Sequence, residues 1–294
     1  MDSWIAAVAS DEAYALGEGP VWDAYRERLL WVDIAAGVVH IGHITSGDRI
    51  VAGAAYHVDR TVGAVVCSKD GRLLVAGRTG LAVVDPDGTI THGMPLLPPS
   101  SRFNDGKCDP SGAFLVGSLH LDGSVTPRSE VLLRIGPDGS ATPLDTDLTL
   151  SNGLGWSPDG TVFYSTDTIA RLIYRRAYDP ATGAVGDREV FLRIDGGVPD
   201  GMAIDAGGDL WVAVWGAGEV RRYTPDGVQT GVVHVDAPHS SSAAFAGPDL
   251  DLLVITTARW DLGPDRLAAH PLSGRIFTAR VGVTGLPVAA WRPS

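Results

Sequence analysis

GEGPVWDAYRERLLWVDI, residues 17–34, sets the reading of the whole chain: a short apolar run, a tight polar turn and a second apolar run. The same shape returns as GAVVCSKDGRLLVAG (63–77), NDGKCDPSGAFLVGS (104–118), NGLGWSPDGTVFYSTD (152–167), DGMAIDAGGDLWVAVW (200–215) and SSAAFAGPDLDLLVIT (241–256). Between these segments lie second hairpin-like stretches at 38–53, 80–93, 130–144, 173–191, 220–233 and 274–288. Several turn on Pro-Asp-Gly, whose Asp and Gly tolerate the backbone angles a hairpin needs. Two hairpins make four strands. The residues closing the first strands (Trp22, Cys67, Cys108, Trp156, Ile204 and Phe245) are spaced by 45, 41, 48, 48 and 41, the length of a four-stranded propeller blade. A sandwich or barrel has no six-fold recurrence at this period. The sequence therefore predicts an all-β fold: a single six-bladed β-propeller domain over 1–294, four antiparallel strands per blade, with the first strand of each blade lining the channel. Blade six runs out near Pro287, so the apolar N-terminal piece (Ile5 to Val8, or Tyr14 to Leu16) is expected to pair onto it and cover the open edge.

Bulk properties narrow the function. With 45% hydrophobic and 20% charged residues the chain can bury a substantial core. A formal net charge of −12 argues against nucleic acid, which calls for a clustered basic surface. No polybasic run suggests a membrane surface, and the short apolar piece Trp4 to Ala9, flanked by acidic residues, has neither the basic start nor the length of a leader. A cytoplasmic protein is expected. The only cysteines, Cys67 and Cys108, have no metal or redox spacing and read as buried thiols. Trp22, Trp31, Trp156 and Trp211 read as packing between blades, and Trp215 as a floor for a pocket.

Chemistry concentrates at one register. Four residues before each closing residue stand Glu18, Gly63, Asn104, Asn152, Asp200 and Ser241. The repeat makes these positions equivalent, at one level of the channel mouth. Four of them carry carboxylate or amide oxygens, and the only two asparagines in the chain are both among them. Asn-Gly and Asp-Gly are turn formers, but turn chemistry does not explain a shared register, and Glu18 is no turn residue. Two carboxylates and two amides suit one divalent hard cation, with Ca²⁺ the first choice, Mg²⁺ or Mn²⁺ next, and Zn²⁺ or Fe²⁺ still open. Nucleophile-elbow, zinc-protease and phosphate-loop motifs are all missing. Asp33 and Asp167 end second strands at the same level, where they could brace ligands or hold water.

The motifs LGEGPVWD (16–23), SRFNDGKCDPSG (101–112), SNGLGWSPDG (151–160), PDGMAID (199–205) and TTA (256–258) resemble the gluconolactonase, regucalcin and senescence-marker-protein family of six-bladed propellers. The resemblance implies that Glu18, Asn152 and Asp200 are metal ligands, that Asn104 contacts metal or substrate, and that Arg102 binds the substrate's oxygens. It also implies opening of sugar lactones such as gluconolactone or a pentonolactone, with polarisation of the carbonyl by the metal and attack of an activated water. Asp200 is then the candidate base, with metal-bound hydroxide as the alternative nucleophile. A calcium-binding regulator of the same fold, a phosphotriesterase and an interaction platform stay open as rivals. The chain departs from the pattern after blade three's second strand, where His120 and Asp122 stand in for an acidic residue, and in blade six at His239. The specific sugar is the least determined part of the reading.

Overall fold

The computed structural model describes residues 1–121 and 128–293. Six sheets form the blades of a propeller, each with four antiparallel strands that are consecutive in the chain except where the N-terminus joins in. The inner strands are Gly17–Asp23, Ala64–Cys67, Ser101–Cys108, Ser151–Trp156, Val198–Ile204 and Ser240–Ala246. Each packs against the next, and that of blade six against that of blade one, closing the ring. Inner and second strands are covered on both faces by neighbouring blades. They are therefore buried almost throughout and read as unbroken apolar runs such as LLVA and LWVAVW. Outermost strands such as Ile50–His57 carry the exposed residues.

The core lies between blades. Trp211 of blade five meets Phe245 of blade six edge-on at 5.9 Å. Trp22 and Trp31 pack with Ala246, Leu252 and Val254 of blade six, and Trp156 with Leu115 and Leu132 of blade three. Aromatic rings here supply large contact areas between sheets that share few hydrogen bonds.

Ring closure is more elaborate than the sequence suggests. Ala7–Val8 does pair with Phe277–Ala279 as the fourth strand of blade six. The preceding piece, Asp2–Ile5, lies parallel to Gln229–His234 as a fifth strand of blade five. Tyr14–Leu16 adds no strand, and Leu16 makes a single bridge to Ala258. The second hairpin expected at 274–288 is not formed. Only Phe277–Ala279 is a strand, because Gly282 turns through positive φ and Pro287 has no N–H to give to a ladder. The chain instead runs across the channel end opposite the strand starts, bridging blade five through Asp205 and Gly285 and blade two through Ser68 and Trp291. One short helix, Pro264–Ala269, lies in the connection after Thr257. Among the described residues no helix is long and apolar enough to cross a membrane.

Candidate active site

A β-bulge marks the donor register. The pairing of inner to second strand shifts between Glu18 and Val21, Phe103 and Gly106, Asn152 and Leu154, Pro199 and Met202, and Ser240 and Ser242. Bulges bend a strand and re-aim side chains, and here they fall where four blades carry an oxygen donor. The approach to this register is pinned in two blades by the same device. Asp33 accepts the N–H groups of Ala15 and Leu16 at 2.9 and 3.1 Å, just before Glu18. Asp167 accepts those of Thr149 and Leu150, just before Asn152. Both carboxylates brace the entry to an inner strand.

Glu18, Asn104, Asn152 and Asp200 are all buried at this level, and their partners differ in a telling way. Gly19 N–H donates to Glu18 Oε2 at 2.8 Å. Asn104 is engaged at both ends: Nδ2 donates to the Ser151 carbonyl at 3.0 Å, and Oδ1 accepts from Arg102 Nη1 at 2.9 Å. A carbonyl on one side and a guanidinium on the other admit only this amide orientation. Asn152 Nδ2 donates to Thr168 Oγ1 at 3.0 Å, while Asn152 Oδ1 and Asp200 Oδ1 are buried with no hydrogen-bond partner. Such orphaned acceptors are uncommon and call for a ligand, a water or an ion.

The two remaining blades do not contribute. At Gly63 a Cβ would lie 2.4 Å from the Asn104 carbonyl oxygen, so blade two has no room for a side chain. Ser241 donates its hydroxyl to the Gly17 carbonyl at 2.6 Å and bonds Thr256, which ties blade six to blade one. Six equivalent positions thus yield a four-sided donor set.

The electrostatics are severe. Burial first, then the neighbouring Asp105 carboxylate, push Glu18 up to about 8. Burial, Glu18 and Asp105 in turn raise Asp200 well above the usual carboxylate range, with Arg102 acting the other way. Burial lowers Arg102 to about 10, opposed by Glu18 and Asp200. Glu18, Arg102 and Asp200 therefore share one electrostatic environment, in which two carboxylates repel each other out of reach of water. A divalent cation fits such a set, since it would satisfy the orphaned oxygens and hold both carboxylates ionised. Among the described residues no group of three or more His, Cys, Asp or Glu is arranged to hold a metal. A cation here would depend on the two amides as well as on Glu18 and Asp200.

Sequence reasoning did not single out Asp105 and Lys107, which follow Asn104 on the inner strand of blade three, because only the register four residues before each closing residue was compared between blades. Of the residues it left open, Trp215 ends blade five's second strand at the donor level and stacks on His239 at 4.1 Å. His239 Nδ1 lies 3.0 Å from the Trp260 carbonyl, which can only accept, so that nitrogen carries the proton. His120 is half-buried opposite Ser101 at the edge of the mouth. Asp122 lies outside the described residues.

The SMP-30/gluconolactonase/LRE-like region profile matches residues 16–259. A pentonolactonase of Haloferax volcanii is 36% identical over 286 residues, 94% of each chain. A 6-deoxy-6-sulfogluconolactonase of Pseudomonas putida is 35% identical over 279 residues, 92% of each chain. The crystal structure of a calcium-binding protein, regucalcin, from Agrobacterium tumefaciens superimposes with a TM-score of 0.91 at 30% identity, covering 99% of both chains.

Proposed function

The chain belongs to the SMP-30/gluconolactonase/LRE-like family, and from that premise we propose that it hydrolyses sugar lactones at a divalent-cation site formed by Glu18, Asn152 and Asp200, with Asn104 beside them. The observation that carries the reading is the pair of buried, partnerless oxygens on Asn152 and Asp200, set in a site whose two carboxylates are destabilised by burial and mutual repulsion. A bound cation supplies Lewis-acid polarisation of an ester carbonyl. The chain's own residues do the rest. Asp200, whose Oδ1 has no protein partner, takes the proton of the attacking water. Arg102 is held by the Phe103 carbonyl and by Asn104 Oδ1 through one nitrogen, which leaves other N–H groups to orient the hydroxyls of an aldonolactone. Trp215 and His239 supply a flat wall at the mouth.

The similarity to a protein described as a calcium-binding regucalcin supports a second reading, cation binding without turnover. Acid release from a panel of five- and six-carbon aldonolactones, followed by pH-stat alongside a phosphotriester, separates the two. Turnover of at least one lactone well above that of the phosphotriester is expected. Cation binding with no turnover of any lactone would establish the second reading.

A further inference from the structure

Beneath the donor register the channel holds a lysine whose surroundings are unusual. Lys107 leaves the inner strand of blade three, and its Nζ donates to the Met202 carbonyl at 2.9 Å on the inner strand of blade five. Met202 lies two residues beyond Asp200 on the same strand. The lysine also lines a cavity of about 380 Å³ at the other end of the channel, walled by Val21, Gly155, Ile204 and Phe245 and covered by Leu286–Ala289 of the C-terminal tail. Its ammonium thus stands between an apolar cavity and the donor set. Two residues earlier on its strand is Asp105, 8% exposed, whose carboxylate accepts its neighbour's N–H (Gly106, 2.8 Å). The inside of the channel therefore carries three carboxylates, Glu18, Asp105 and Asp200, against Arg102 and Lys107.

A half-buried ammonium beside an apolar wall is costly unless it is matched. The Met202 carbonyl satisfies one of its three protons, and Asp105 opposes its charge. Burial lowers Lys107 and Asp105 raises it, while Asp105 in turn raises Glu18 and Asp200. Asp105 thus acts on the donor carboxylates, and Lys107 acts on Asp105 with the opposite sign.

We propose that Lys107 is a positioning residue that, as the internal counter-charge to Asp105, sets how tightly the donor set holds a divalent cation. The inference rests on the cation reading above. Removing Lys107 takes one positive charge away from the cation, so affinity rises. Removing the Asp105 charge does the reverse, and removing both largely cancels. A purely structural role makes no such sign distinction, because loosening the strand that carries Asp200 weakens the site whichever partner is lost.

The test is Ca²⁺ titration by calorimetry on chelator-stripped wild type, Lys107→Met, Asp105→Asn and the double variant, all at one ionic strength. Lys107→Met should bind Ca²⁺ at least about tenfold more tightly than wild type, which is what one unit charge exerts on a divalent ion about 6 Å away even at the dielectric of water. Asp105→Asn should bind correspondingly more weakly, and the double variant should return near wild type. If Lys107→Met does not fold, the comparison moves onto the Asp105→Asn background, where adding Lys107→Met must tighten binding. Weaker or unchanged affinity on removal of Lys107, in either background, overturns the proposal while leaving the cation reading intact. A wild type that binds neither Ca²⁺ nor any other divalent ion overturns both.

Discussion

Asp200 and Arg102 sit within one electrostatic environment yet should fail differently. Asp200→Asn keeps the side chain's shape and one oxygen donor but loses charge and basicity. It should retain more cation than activity, with kcat reduced by about 10² or more. Arg102→Ala leaves Glu18, Asn152 and Asp200 in place and removes substrate positioning, so it should act mainly by raising KM. Kinetics and metal titration on both variants check this. Near-normal turnover in Asp200→Asn would remove the base assignment. At this scale the sequence is informative where the repeat speaks: its two asparagines share one register and single out the candidate site. It is silent on which oxygens are engaged. That Arg102 occupies Asn104 while Asn152 and Asp200 are left partnerless depends on how bulges aim side chains, which no spacing encodes. Nor does burial of an acid identify a ligand. Asp23, Asp109 and Asp205 are as buried as Asp200, but they accept turn N–H groups of Tyr25, Ala113 and Gly207 at the other end of the blades.

Inner strands are held at spacings a single atom would disturb. At Gly153 a Cβ would lie 2.5 Å from the Asp200 carbonyl oxygen and 2.9 Å from Thr166 Oγ1, so the strands carrying Asn152 and Asp200 approach each other only because residue 153 is glycine. Gly153→Ala should cost about 1–3 kcal/mol by overpacking and weaken cation binding by displacing Asp200. Urea unfolding and metal titration measure the two effects, and an alanine variant with wild-type values in both would show that the strands have slack. Cys67 and Cys108 lie within the inner strands of adjacent blades and are buried, unpaired thiols. Burial pushes Cys67 up to about 12 and raises Cys108 well above the usual thiol range, so neither thiolate forms near neutral pH. Both should resist a thiol reagent in the native protein and react once it is denatured; rapid native labelling would contradict this. The elements legible in advance were those whose apolar runs and turns recur six times. The tail after Ala279 was not among them, because its valines alternate as a strand's do while Gly282 and Pro287 prevent pairing.

Across the whole molecule, ring closure and the channel's charge act together on stability. Carboxyls raised above their unfolded values bind protons that the unfolded chain has already released, so native stability falls as pH rises between the two values. For Glu18 that window runs from 4.5 to about 8, and Asp200 shifts in the same direction. The cation-free protein should therefore lose thermal stability as pH rises through this range, and the gain in Tm on adding a divalent ion should grow over the same range. A Tm gain independent of pH would place the cation elsewhere. The propeller itself was readable because each blade is one repeat that buries itself only against the next. The N-terminal strand split between blades five and six was only half readable, since nothing in the sequence divides Asp2–Ile5 from Ala7–Val8. The claim on which all of this turns is that one cation, held by Glu18, Asn152 and Asp200, makes the protein a lactonase. Its most direct test is to strip the protein with chelator, add back a divalent ion in steps, and record bound metal and the rate of aldonolactone hydrolysis on the same sample. The account predicts that activity rises in proportion to occupancy of a single site, vanishes again on chelation and is absent in Glu18→Ala. Lactone hydrolysis at full rate in the stripped protein, or full occupancy of the site without hydrolysis, would contradict it.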